Sequence, residues 1–210
     1  MLAVIIIGAI ATSGGQDSSS SENTKETTTT KEKTSTTEKK ANSSQEKEST
    51  PSKETVVAEH FKSILPSITD DQLELNQKSY DYIVKNYSLF PAKTSANIQK
   101  VKQMADSSVN AKLLNKNVNP YLQKIVSFEG NVVSVEEKQL DDDNTISITH
   151  VMDDDMQSYQ VIMYKSTGNI LEDDRVRFWG APVGSSSFEN VSGGSTNVQD
   201  FIGAHMEKIQ

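Results

Sequence analysis

The sequence predicts an α+β domain in which short N-terminal helices pack with a small five-stranded β-barrel, the whole preceded by a disordered tether. Three observations predict it. Residues 13–54 are built almost entirely of Ser, Thr, Lys, Glu, Asn and Gln. Residues 55–123 repeat apolar side chains at helical spacing, and residues 124–210 alternate them with the two-residue period of strands.

The chain opens on an apolar run, Leu2 to Ala11. That run has the length of a signal-peptide core and falls short of the roughly 17 to 25 residues that span a bilayer. Ala9-Ile10-Ala11 fits a small-x-small cleavage pattern, while the Lys or Arg that should precede the run is missing. Residues 1–12 are therefore expected to be a signal peptide or a truncated membrane anchor, with the natural N-terminus upstream.

Residues 13–54 follow as a linker whose seven Lys nearly balance eight Asp or Glu. With no aromatic and no large aliphatic side chain, they cannot offset the entropy of folding. A flexible coil of this length reaches about 35 to 40 Å. An apolar start followed by a solvated tether reads as a domain held outside a membrane.

Order is expected from Thr55. Val56, Val57, Phe61, Ile64 and Leu65 recur at helical spacing until Pro66, which is expected to end the helix. A second helix begins with Asn76 as N-cap and places Tyr80, Ile83, Val84 and Tyr87 on one stripe, with Leu89-Phe90-Pro91 as an apolar stop. Ile98, Val101 and Met104 or Ala105 mark a third helix to about Asp106, and Asn110 to Lys116 a weaker fourth. The aromatic residues of this region are read as core.

After Pro120 the period changes. The first strand runs from Lys124 to Glu137, and its alternation slips near Gly130, where a bulge or sharp bend is expected. Thr145 to Met152 and Ser158 to Lys165 are strands two and three, Val176 and Phe178 mark strand four, and Phe201 to Ile209 is the last. Gly184, Gly193 and Gly194 are read as loop glycines. Five strands, the first long and bent, suggest a closed barrel.

The run Phe128-Glu129-Gly130-Asn131-Val132-Val133-Ser134-Val135, with Tyr159-Gln160-Val161, Ile170-Leu171-Glu172-Asp173-Asp174 and Val176-Arg177-Phe178-Trp179-Gly180, resembles an OB-fold barrel. Joined to Leu75-Asn76-Gln77-Lys78-Ser79-Tyr80-Asp81-Tyr82-Ile83 and Leu89-Phe90-Pro91, it is similar to uncharacterised membrane-anchored or secreted proteins of Gram-positive bacteria. These carry a helical region and a C-terminal OB-fold-like domain, some with a cytoplasmic zinc ribbon before the anchor. The resemblance covers residues 55–210. This chain departs from the pattern twice: it has no zinc ribbon, and Ser166 to Glu172 is too short for the helix that usually joins strands three and four.

Composition narrows the chemistry. Without cysteine there is no disulfide scaffold, Cys-ligated zinc or thiol nucleophile. His60, His150 and His205 fall in no ligand spacing and are read as surface or strand residues. The acidic triplets Asp141–Asp143, Asp153–Asp155 and Glu172–Asp174 raise calcium, but they sit where turns are expected and match no calcium loop. No nucleophile elbow frames a serine. No catalytic residue, metal ligand or cofactor is expected, and the protein is not expected to be an enzyme.

OB-folds bind oligonucleotides or oligosaccharides. Residues 126–210 carry fifteen Asp or Glu against five Lys or Arg, which disfavours a phosphate backbone. Residues 55–125 have the opposite bias, nine Lys against six acids. Arg175, Arg177 and Trp179 are the one basic and aromatic cluster, and the candidate partner-binding residues. The expected function is a non-catalytic cell-envelope protein, extracytoplasmic and held at the membrane by its apolar segment, whose tethered domain binds a protein or glycan partner. A nucleic-acid-binding OB module is the alternative.

Overall fold

The computed structural model describes residues 52–140, 144–190 and 192–209. The apolar start, nearly all of the linker and Asp141–Asp143 lie outside the described residues. No described helix is long and apolar enough to cross a membrane.

Helix α1 (Lys53–Ile68) begins just before the expected Thr55 and buries Ala58, Phe61 and Leu65. Pro66 does not end it: the helix runs on to Ile68. The ring costs only the bond to the Lys62 carbonyl on an exposed turn, and Thr69 closes the end by donating from N and Oγ1 to the Leu65 carbonyl at 3.1 and 2.8 Å. Helix α2 (Gln77–Lys85) starts under the expected cap, with Asn76 Oδ1 accepting from Lys78 N at 2.9 Å. Ile83 is its buried centre, whereas Tyr87 lies past its end and is exposed. Helices α3 (Ser95–Met104) and α4 (Ala111–Lys116) are capped in the same way by Thr94 and Asn110.

Five strands close a barrel in the order β1-β2-β3-β5-β4: β1 (Val126–Gln139), β2 (Thr145–Met152), β3 (Ser158–Met163), β4 (Arg175–Glu189) and β5 (Ser195–Lys208). All pairs are antiparallel except β3 with β5. The molecule is an α+β OB-fold module.

Two cores follow from the alternation. Inward-facing Val126, Tyr159, Val161, Phe178 and Phe201 fill the barrel, where Phe178 lies 5.2 Å from Phe201 and 5.6 Å from Tyr159 between ring centroids. Such pairs contribute about 0.5–1.5 kcal/mol beyond area burial. Outward-facing Ile146, Ile162, Trp179 and Ile202 meet Phe61, Leu65, Ile83 and Phe90 of the helical region in the second core.

Three expectations need correction. The slip in β1 lies at Val133, where register shifts between Val132 and Ser134, so that Val132 and Val135 join one core. Gly130 serves close approach instead: a Cβ there would stand 2.3 Å from the Met152 carbonyl oxygen. Strands β4 and β5 are far longer than Val176–Phe178 and Phe201–Ile209 implied, and Gly184 lies within β4, opposite Asp200. The missing β3–β4 helix is also replaced. Val109, Leu114 and the half-buried Ala111 and Val118, from α4 and its flanks, join the barrel-interior core together with Ile170 of the β3–β4 connection.

Candidate binding site

The outer face of β2 and β3, the surface OB-folds commonly offer to ligands, is covered by the chain itself. Ile146 and Ile162 pack under α1, where His60 lies tilted against Tyr164 with ring centroids 4.9 Å apart. Further along β2, His150 meets Phe188 of the β4–β5 hairpin edge-on at 5.4 Å. That hairpin, described over residues 184–190 and 192–199, forms an arm that runs past the start of β3, which pairs with β5 only from Gln199 onward.

Arg175, Arg177 and Trp179 alternate onto one face of β4, but the structure gives each a partner within the chain. Arg175 holds Asp154 through two bonds of 2.9 and 2.8 Å, and Arg177 pairs with Glu129 at 2.6 Å. Trp179 is 5% exposed, stacked on His205 at 5.5 Å and covered by Lys102 Nζ at 4.9 Å. Lys102 in turn pairs with Glu207 at 2.7 Å, and His205 Nε2 lies 3.1 Å from the same carboxylate. Burial favours a neutral Glu207, but the bonds from Lys102 and His205 outweigh it and hold the carboxyl below its ordinary range.

The described acidic loops are likewise occupied by their own turns. Asp153 Oδ1 accepts from the backbone N–H groups of Asp155 and Gln157 at 3.0 and 2.8 Å, and its Oδ2 takes the Tyr159 hydroxyl. Asp174 accepts from Lys208 at 2.7 Å and from Leu171 N at 2.6 Å. Among the described residues no three His, Asp or Glu side chains gather as a metal would require.

A different surface is open. Between the arm and the β2–β3 turn lies a groove of about 690 Å³ whose lining contains no Asp, Glu, Lys, Arg or His. Ser185, Ser187, Thr196 and Asn197 supply its walls, and the amides of Gln157, Asn115 and Gln199 its floor. The three amides form a directed chain: Gln199 Nε2 donates to Asn115 Oδ1 at 2.8 Å, and Asn115 Nδ2 to Gln157 Oε1 at 2.9 Å. The chain leaves Gln199 Oε1, on a residue only 8% exposed, with no hydrogen-bond partner. Such an acceptor costs about 1–3 kcal/mol until a donor meets it.

A row of polar groups runs behind the groove. His150, Gln160 and Asp200 are register partners across β2, β3 and β5. Gln160 Nε2 donates to Asp200 Oδ1 at 2.9 Å, while Asp200 Oδ2 is buried without a partner. Burial pushes the Asp200 carboxyl up to about 7 and holds the His150 imidazole below its usual value.

No family model matches this chain, and no curated protein matches it. Among solved structures, it is similar to a mitochondrial single-stranded DNA-binding protein from S. cerevisiae, at 12% identity and a TM-score of 0.27, over 41% of this chain and 95% of that one.

The groove residues were not anticipated. The segment from Gly184 to Gln199 has the composition of a loop, with Phe188, Val191 and Val198 its only large apolar residues, too few to show an alternating pattern.

Proposed function

We propose that this chain is a non-catalytic cell-envelope protein that displays a tethered OB-fold domain outside the membrane, and that the domain binds an uncharged partner, a protein segment or a glycan. The observation that carries the binding reading is the charge-free groove on a barrel rich in carboxylates. Its amides and hydroxyls can exchange hydrogen bonds with neutral polar groups but offer no cation to a phosphate. Display is supported by the order of apolar start and solvated linker, and by the resemblance to Gram-positive anchored proteins. The test is recovery of the intact protein from membrane, wall and soluble fractions, together with sequencing of its first residue. A protein found only in the soluble cytoplasmic fraction would overturn display.

A second reading, a nucleic-acid-binding OB module, is favoured by the barrel topology itself, because OB-folds take oligonucleotides as well as oligosaccharides. It would draw on the exposed lysines of α3 and α4, among them Lys100, Lys112 and Lys116. Titration of the full chain with labelled oligothymidylate at low and at physiological salt separates the two. Saturable binding that weakens steeply with salt would install the second reading in place of the first.

A further inference from the structure

The β4–β5 arm has two long edges, and only one is closed. On the β4 side, the Gln72 side chain acts as a one-residue strand: its Nε2 donates to the Ser187 carbonyl at 2.7 Å and its Oε1 accepts from Ser187 N at 2.9 Å. Both backbone groups of Ser187 therefore point away from β5. In an antiparallel ladder that makes Ser187 and its partner Asn197 a pair without mutual backbone bonds, so the N–H and C=O of Asn197 point outward from the opposite edge.

That opposite edge faces the charge-free groove. β3 pairs with β5 only from Tyr159 and Gln199 onward, so β5 runs past it over Ser195 to Val198. Residues 195–199 line the groove together with Ser185–Ser187 and Gln72, so the groove extends across the arm from the Gln72 clamp to the β5 edge, where the outward N–H and C=O of Asn197 lie. At its inner end sits Gln199, whose buried Oε1 has no partner.

The geometry points to strand addition: an extended peptide segment with small, uncharged side chains pairs with the Ser195–Val198 edge of β5, continuing the sheet where β3 stops. Backbone bonds to Asn197 fix its register. The absence of charge from the lining selects the neutral segment, since a buried Lys or Glu of the peptide would find no counter-ion. This inference rests on the proposed uncharged partner and narrows it from glycan or protein to protein.

The test pans a random dodecapeptide library on the full chain, resynthesises enriched peptides with and without N-methyl groups on alternate residues, and measures their affinity for wild type and Asn197→Pro. Asn197→Pro removes the outward donor and leaves the β4–β5 bonds in place; N-methylation removes the peptide's donors without touching the protein. The expected result is enrichment of peptides neutral at their centre, whose binding falls about tenfold or more on either change, with amide shifts confined to 195–199. Enriched peptides indifferent to N-methylation, or no enrichment over an unrelated protein, overturn strand addition. Binding of a neutral oligosaccharide in the same groove overturns it too, while leaving the uncharged-partner reading intact. A dimer dissolved by Asn197→Pro names a second copy as occupant and also overturns it. Salt-sensitive oligothymidylate binding without any neutral ligand overturns the underlying reading itself.

Discussion

The lower barrel and the β4–β5 arm are parts of one sheet built on different physics. In the barrel, Ile146 and Ile162 pack outward against the helices and Val151, Tyr159, Val161 and Met163 inward with Phe178 and Phe201, and side-chain burial holds β2 and β3. The arm has Ser185-Ser186-Ser187 facing Gln199, Val198 and Asn197, and it is held by its hairpin ladder, by Leu73 packed on Gly184 and by the Gln72 clamp. Structure secured by burial has no surface left to offer. The arm keeps its polar groups available because its own stability does not consume them.

Four measurements on the full chain would break or sharpen this contrast. Phe178→Ala should cost about 3–5 kcal/mol in urea unfolding, as a wholly buried aromatic surrounded by other rings does. A cost near that of a surface change would dissolve the distinction between the two regions.

Asp200, at the base of the arm, carries the next effect. Its folded pKa of about 7 stands above the reference value of 3.8, so the folded state favours the protonated acid. Stability from this group is full below the reference value, declines as pH rises toward 7 and is gone above it. Asp200→Asn should therefore stabilise the protein by about 2–4 kcal/mol at pH values above 7 and by little in acid. His150, whose pKa is lowered by burial, works in the opposite direction as pH falls below the usual imidazole value of 6.5. The difference between variant and wild type isolates Asp200, and a pH-independent difference would refute its burial in the charged form.

Gln72→Ala should release the arm alone. Hydrogen exchange at Ser187 ought to accelerate by the equivalent of about 0.5–1.5 kcal/mol while the urea midpoint hardly moves; a matching global loss would show that the arm belongs to the main core. Smallest of all, a double-mutant cycle on Arg177 and Glu129 should return less than about 1 kcal/mol, because both side chains stay substantially exposed.

The same contrast governs what could be read in advance. Thr145–Met152 was legible to the residue because its β-branched residues alternate with a two-residue period, with Ile146 buried on one face and Val151 on the other. Helix starts were legible at Asn76 and Asn110 because caps are local chemistry. The plug supplied by α4 was not, since a short helix says nothing of which opening it fills. Nor was the arm, where Pro182 and the glycines disguise a strand broken by a bulge between Pro182 and Gly184. Arg175, Arg177 and Trp179 stood out by residue type, yet type cannot reveal that Asp154, Glu129 and Lys102 lie against them.

The position of β5 has a consequence for folding. Among the described strands it comes latest in the chain, yet it stands between β3 and β4, contributing Ile202 and Ala204 to the helix-packed core and Phe201 to the barrel. The two cores therefore share one strand, and the helices and strands that precede it pack fully only once it is in place.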